Sequence, residues 1–120
     1  MNGYTTLGTN NLERASKFYD ELLSEMNGSR VMENERMVMW STGADKPTVA
    51  VLKPFNGEPA GNGSMLGISC DSHSVVDKVH AKALSLGADD EGAPGNRTEA
   101  FYGGYIRDLD GNKIGFFKMG

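Results

Sequence analysis

The chain has 120 residues and a mass of 12.9 kDa; 38% of the residues are hydrophobic and 23% are charged. That length suits one domain with its own core, and that composition excludes a disordered chain, a collagen-like repeat and a long apolar span. The 16 acidic and 12 basic residues give a net charge of -4 without a basic cluster, so we expect no nucleic acid and no membrane as partners.

The first half of the chain is predicted to form a strand, a helix and three further strands. A Thr-rich strand is expected over residues 4–9, and apolar residues at helical spacing predict an amphipathic helix over about 11–26. Asn10 or Asn11 can cap this helix, and Gly28 is placed to end it in the left-handed conformation. Three short strands follow, and they are predicted over residues 29–33, 37–41 and 48–53.

The second half repeats this order after a segment of turn-forming residues. Residues 55–63 predict a linker, because Gly, Pro and Asn dominate them. A strand over residues 64–69 then precedes a helix that Asp71 or Ser72 can cap and that Gly87 can end. The last three strands are predicted over residues 88–91, 100–108 and 113–117.

The two halves are spaced as copies of one unit. Their helix caps, and the glycines that end their helices, lie roughly 60 positions apart. We therefore predict one α+β domain of two βαβββ modules in tandem, over about residues 1–54 and 64–120. Two such modules can each bury one sheet face under a helix and enclose a shared cleft with the others.

Two runs of sequence carry a family resemblance. TLGTNNLERASKFY, from Thr6 to Tyr19, is similar to the opening of the glyoxalase, bleomycin-resistance and extradiol-dioxygenase superfamily, also called vicinal oxygen chelate. YIRDLDGNKI, from Tyr105 to Ile114, resembles its characteristic ending. The resemblance covers nearly the whole chain and implies the two-module fold. Relatives commonly pair, and a small sheet needs its edges covered, so we expect a homodimer.

The resemblance also implies a divalent metal in the cleft, held by His and Glu side chains of the strands. By similarity, the ligand positions fall on Tyr4, Met65 and Gly115, and on the strand over residues 48–52, which contains no acid. A phenol, a thioether and a bare backbone are not normal ligands of such metals. The only histidines fall in or beside the second predicted helix, at His73 and His80. We therefore expect no metal and no other cofactor.

Without a metal, side chains of the strands are the candidate contacts for a ligand. If Tyr4 faces the cleft, alternation sends Thr6 inward as well. In the third strand, neighbouring residues face opposite ways, so either Met39 or Trp40 lines the cleft. Arg97, in a loop predicted over residues 92–99, can clamp a carboxylate or phosphate. The full set of predicted ligand-binding residues is Tyr4, Thr6, Met39, Trp40, Met65, Arg97, Tyr102 and Tyr105.

Three functions remain open at this point. The first is metal-free binding of a small organic molecule in the cleft between the modules. The alternative is a lyase, isomerase or dioxygenase acting on a small oxygen-rich metabolite, with proton transfer by Tyr4, Glu99 or Tyr102. The third is a scaffold whose cleft is filled by its own side chains.

Cys70 is expected to pack inertly, and a single cysteine without a signal-like N-terminus predicts a cytoplasmic protein.

Overall fold

The structure is a computed structural model that describes residues 4–43, 48–54, 56–58 and 64–120. The chain divides into two compact units, Met1–Asn62 and Gly63–Gly120. Each unit contains one helix and one four-stranded sheet in the order βαβββ, which confirms the predicted α+β class and two-module order. Of the predicted linker over 55–63, only residues 56–58 lie within the described part of the chain.

The first unit is a sheet covered on one face by a helix. Its elements are β1 (Tyr4–Gly8), α1 (Leu12–Ser24), β2 (Ser29–Glu33), β3 (Met37–Ser41) and β4 (Thr48–Leu52). The strand order is β1-β4-β3-β2, in which β1 and β4 run parallel and the other pairs antiparallel. The apolar stripe of α1 is buried, through Ala15, Phe18, Tyr19, Leu22 and Leu23.

The strand register assigns the residues of this first sheet to two faces. One face lies under α1 and is buried, and it carries Leu7, Val38, Trp40, Val49 and Val51. Successive residues of a strand point to opposite faces, so the side chains between these belong to the face without a helix. On that helix-free face Thr6, Ala50 and Met39 are neighbours across β1, β4 and β3.

The C-terminal end of α1 differs from the prediction. The helix begins after Asn11, whose side chain accepts a hydrogen bond from the Arg14 amide, but Gly28 does not adopt the left-handed conformation. Asn27 does so instead, with φ of 60°, because the helix ends earlier, at Ser24. Gly28 meets a different demand: a Cβ there would lie 2.8 Å from the Leu23 Cβ and carbonyl oxygen.

The second unit repeats the element order of the first, and its last three strands are longer than their counterparts. Its elements are β5 (Leu66–Ser69), α2 (His73–Ser85), β6 (Asp89–Thr98), β7 (Phe101–Arg107) and β8 (Lys113–Met119). The strand order is β5-β8-β7-β6, with β5 parallel to β8. Ser72 caps α2 by accepting from the Val75 amide, and Gly87 follows the helix with φ of 103°, as predicted.

The prediction of a loop over residues 92–99 is wrong. Most of it belongs to β6, which continues to Thr98 and pairs antiparallel with β7, for example Gly95 with Gly103 and Asn96 with Tyr102. The register shifts repeatedly along this pair, as expected where Gly and Pro interrupt a strand. The segment is therefore an irregular strand attached to the sheet, so its side chains have a defined face.

The second sheet also has one face under its helix. Ile106, Ile114 and Phe116 are fully buried there, with Val76 and Val79 of α2. The opposite, helix-free face of the second sheet carries the alternate residues, Gly67, Gly103, Tyr105, Gly115 and Phe117. Both helices have 13 residues, and none in the described part of the chain has the length and apolar character needed to cross a membrane.

Candidate functional site

Aromatic side chains gather on the helix-free face of the second sheet. Phe101 and Tyr105 are four residues apart on β7 and therefore point the same way, and Phe117 of β8 stands opposite Gly103 between them. The Phe101 and Phe117 rings stack at 5.4 Å between centroids, with planes 10° apart. The strand register thus places three rings on one surface.

Glycine backbone lets these rings lie close to the sheet. A Cβ at Gly115 would lie 3.1 Å from two ring carbons of Tyr105 and 3.3 Å from the Met65 sulfur. A Cβ at Gly103 would lie 2.9 Å from a ring carbon of Phe101 and 3.5 Å from the Tyr105 hydroxyl. A side chain at Gly115 would require the Tyr105 ring and the Met65 sulfur to shift by a few tenths of an ångström, so glycine permits their present close approach to the backbone.

Two cationic side chains approach the same tyrosine. The Arg97 Cζ lies 5.3 Å and the Lys113 Nζ 5.5 Å from the centroid of the Tyr105 ring, which is cation–π range. Arg97 is also held by a 2.6 Å hydrogen bond from its Nη2 to the Ala93 carbonyl oxygen. We call the group of Met65, Arg97, Phe101, Tyr105, Lys113 and Phe117 the Tyr105 surface. Such a surface can stack a planar ligand and attract a negative charge.

The sequence predicted half of this surface. Met65, Arg97 and Tyr105 are among the predicted ligand-binding residues, and the structure brings them together. Lys113, Phe101 and Phe117 were missed. Their signal was the even spacing of Phe101 from Tyr105 and of Lys113 from Phe117, which puts each pair on one face of a strand.

The first unit places three more predicted residues on its own helix-free face. Tyr4 and Thr6 are exposed on β1, and Met39 is half-buried on β3. Thr6 and Met39 both neighbour Ala50 of β4. Of the two alternatives left open for the third strand, Met39 is therefore the residue on the face without a helix.

Trp40 lies in the core of the first unit. It is 1% exposed, its ring is 5.7 Å from that of Tyr19 on α1, and its Nε1 donates to the Asp20 carboxylate at 2.9 Å. Arg30 binds the same carboxylate through two hydrogen bonds and holds the pKa of Asp20 below its usual value. Trp40 thus links the sheet to α1, and its buried ring is not exposed to a ligand.

Tyr102 and Glu99 occupy places different from that of Tyr105. Tyr102 points to the face under α2, where its ring stacks on His73 at 4.1 Å and its hydroxyl donates to Asp77 at 2.5 Å. That hydrogen bond raises the pKa of Tyr102 and ties up the phenol. Glu99 is exposed in the turn between β6 and β7. The Tyr102 side chain therefore lies on the sheet face opposite to the Tyr105 surface.

The residues at the implied metal-ligand positions do not fit a divalent metal. These positions carry the exposed phenol of Tyr4, the thioether of Met65 and the bare backbone of Gly115. On β4, the helix-free face that would offer the fourth ligand presents Ala50. Within the described residues, no three His, Cys, Asp or Glu side chains are grouped so as to hold a metal ion.

The remaining ionisable candidates have structural partners. His80 is 4% exposed on α2, and its Nε2 lies 3.1 Å from the Asp90 carboxylate, which also accepts from the Gly92 amide. The Gly92 amide and then His80 lower the pKa of Asp90. Cys70 is buried, and burial raises the pKa of its thiol to about 11, as expected for a packing residue and not for a nucleophile.

Comparison with known proteins places the chain in a family. No family model and no curated protein matches the sequence. Among solved structures, a glyoxalase/bleomycin resistance protein from Albidiferax ferrireducens T118 is similar with 34% identity and a TM-score of 0.86, over 98% of this chain and 97% of that one.

Two more distant structures share the fold. A glyoxalase/bleomycin resistance protein/dioxygenase family enzyme from Burkholderia phytofirmans PsJN has 17% identity and a TM-score of 0.78, over 97% and 96% of the two chains. Lactoylglutathione lyase from Agrobacterium tumefaciens has 19% identity and a TM-score of 0.72, over 96% and 90%. The identity to the first protein over nearly all of both chains, with the βαβββ order of each unit, establishes that this chain belongs to the glyoxalase/bleomycin-resistance family of the vicinal oxygen chelate superfamily.

Proposed function

We propose that the protein binds a small organic molecule on the helix-free faces of its sheets without a resident metal. The observation that carries this proposal is the residue set at the implied ligand positions, which are Tyr4, Met65, Gly115 and the strand β4, whose residues include no acid. None of these side chains supplies an imidazole or a carboxylate, which are the donors that metals of this kind require. What they supply in place of donors is a phenol ring, a thioether and close access to the backbone.

Stacking and apolar contact would provide the binding energy. Covering roughly 100 Å² of apolar surface contributes about 2.5 kcal/mol, and a well-placed aromatic pair adds about 1 kcal/mol. The rings of Phe101, Tyr105 and Phe117 offer such contacts on one face, and the Met65 sulfur lies beside Tyr105. A thioether next to a ring adapts to ligands of different shape, which suits a sequestering protein.

A catalytic role has less support from the residues named for it. The Tyr102 phenol is already bound to Asp77 and has a raised pKa, which disfavours it as a base at neutral pH. Glu99 is exposed in a turn. Of the three predicted proton-transfer groups, Tyr4 lies on a helix-free face; its side chain is 66% exposed, and its hydroxyl forms no hydrogen bond with a described residue.

Removal of metal tests the proposal. We expect dialysis against EDTA to have no effect on the thermal unfolding midpoint. It should also have no effect on the binding of phenylacetamide, a small aromatic probe whose binding is read from amide chemical shifts. Metal content would be followed by elemental mass spectrometry on the same samples. The His73→Gln variant is the control, because a surface histidine can retain metal adventitiously.

One result would contradict binding without a resident metal. The protein would contain a stoichiometric metal that remains in the His73→Gln variant and is lost in the Tyr4→Phe variant. Removal of that metal by EDTA would also lower both the unfolding midpoint and the affinity for phenylacetamide.

A further inference from the structure

The charge of the Tyr105 surface contrasts with that of the whole chain. The protein carries a net charge of -4, yet this surface presents Arg97 and Lys113 and no acidic side chain among its members. The Arg97 Cζ and the Lys113 Nζ both lie within 5.5 Å of the centroid of the Tyr105 ring. An anion at this end of the surface would be attracted by both positive charges.

The cations of the Tyr105 surface differ from a neighbouring cation, which has an acidic partner. Arg107, the next cation along β7, is neutralised by Glu91 at 2.7 Å. Within residues 64–120, no carboxylate forms an ion pair with Arg97 or Lys113. Arg97 donates one hydrogen bond to the Ala93 carbonyl, which fixes its position and leaves most of its five N–H groups for a ligand.

Apolar rings continue directly from the cationic end of the surface. The Tyr105 hydroxyl and a ring carbon of Phe101 both lie within 3.5 Å of the place a Cβ would occupy at Gly103, so the two rings are adjacent. Phe117 stacks on Phe101 and extends the apolar part. A ligand that covers the whole surface therefore needs an anionic group at one end and a flat apolar body at the other.

We infer that the Tyr105 surface selects small aromatic anions, in which a carboxylate or phosphate contacts Arg97 and Lys113 while the ring stacks beside Phe101 and Tyr105. This inference rests on the proposed small-molecule binding and adds the chemical class of the ligand. Arg97 supplies directional N–H donors and Lys113 a mobile point charge, a combination that suits either kind of oxyanion.

Matched probes separate the effect of charge from that of the ring. Phenylacetate and phenyl phosphate would be titrated into ¹⁵N-labelled protein alongside phenylacetamide, which keeps the ring and removes the charge. We expect shifts at the Gly103 and Gly115 amides with all three probes, and an affinity about fivefold higher for the anions, as for a partly exposed ion pair. The tighter anion identifies the preferred oxyanion. The preference should shrink when the ionic strength rises from about 0.1 M to about 1 M.

Charge-removing variants assign the preference to residues. Arg97→Gln and Lys113→Gln should each reduce the preference for the anions over phenylacetamide about twofold, because the two cations share it. Lys78→Gln is the matched control, since it removes an exposed cation from α2, which covers the opposite sheet face.

The outcomes distinguish this inference from the function on which it rests. Equal affinities for phenylacetate and phenylacetamide at these amides, unaffected by Arg97→Gln and Lys113→Gln, would refute anion selection and leave small-molecule binding standing. The absence of any shift at Gly103 and Gly115 with all probes would refute both for this face. An equal loss of anion affinity in Lys78→Gln would also refute the assignment, because it would show attraction by net charge alone.

Discussion

At the scale of single residues, Asp20 links a helix to its sheet with one carboxylate. It accepts hydrogen bonds from the Trp40 indole at 2.9 Å and from two nitrogens of Arg30 at 2.8 Å and 2.7 Å. The buried indole would otherwise leave its only N–H without an acceptor, which costs about 1–3 kcal/mol. The cluster therefore explains why the largest aromatic residue of the first unit belongs to its core.

Removing the arginine of this cluster should weaken the fold in a pH-dependent way. We expect Arg30→Gln to lower the free energy of unfolding at pH 7 by about 0.5–1 kcal/mol, because both partners are partly exposed. The pKa of Asp20 is lowered in the folded state, so its stabilising effect is present above the unfolded value of about 3.9 and is lost as the pH falls through the folded value. The difference between wild type and variant should therefore shrink below about pH 4.

Urea denaturation at pH 7 and at pH 3 measures this difference. Lys17→Gln, which removes an exposed cation from the same unit, is the control and should show little change at either pH. A gap between wild type and Arg30→Gln that stays constant over this range would contradict the role assigned to Asp20.

Residue spacing also decides which tyrosine belongs to the site. Tyr102 and Tyr105 lie on one strand three positions apart, and an odd separation puts them on opposite faces. Tyr102 accordingly contacts α2, whereas Tyr105 joins Arg97 and Lys113. The sequence alone predicts that the two tyrosines point to opposite faces. It does not predict which face is covered, because that depends on where the helix packs.

At the scale of elements, the end of α1 shows two neighbouring residues with separate tasks. Asn27 takes the left-handed conformation, and Gly28 provides space where the chain passes Leu23. The Gly28 amide donates to the Leu23 carbonyl oxygen at 2.7 Å, so backbone and side chain are both close at this point. The requirement at Gly28 is therefore steric.

Substitutions at the two positions should differ in effect. Gly28→Ala is expected to lower the free energy of unfolding by about 1–3 kcal/mol, because the new methyl group would meet the Leu23 carbonyl and Cβ at 2.8 Å. Asn27→Gly should change it by less than about 0.5 kcal/mol, since glycine accepts positive φ freely. Denaturant midpoints of the two variants measure the difference. Equal stability of Gly28→Ala and Asn27→Gly would contradict the steric requirement.

The strands show what local sequence can and cannot predict. The strands Ser29–Glu33 and Met37–Ser41 have the predicted bounds, because polar turn residues lie between them. The long strand Asp89–Thr98 was predicted only at its start, since its Gly, Pro and Asn residues have low strand propensity. Pairing with β7 outweighs that propensity, and such pairing between distant residues leaves no local signal.

At the scale of the whole chain, the duplication was predictable because its signals are local. Helix caps and the turns after helices recur in both halves, and the structure has one helix and four strands in each unit. The Tyr105 surface was only partly predictable, because it requires the register between β7 and β8 and the pairing of β6. Chemistry in this fold depends on that register, and two chains with the same element order can therefore present different sites.

The assembly of whole molecules is the last prediction. We predict a homodimer, because β2 is an edge strand in the described sheet and exposes two apolar side chains, Val31 at 58% and Met32 at 41%. The register shift between Arg30 and Met32 also leaves Val31 without a cross-strand partner. Light scattering after gel filtration should give twice the chain mass of 12.9 kDa, and the thermal midpoint should rise with protein concentration.

A charge on this edge tests whether β2 forms the contact. Val31→Lys should shift the protein towards monomer, because a lysine on an edge strand opposes pairing with another chain. Val31→Thr keeps the branched shape and should have a smaller effect, which separates charge from side-chain volume. A mass of one chain at every concentration would contradict the dimer. A dimer unchanged by Val31→Lys would instead place the contact away from β2, and the exposed residues of that strand would then need another explanation.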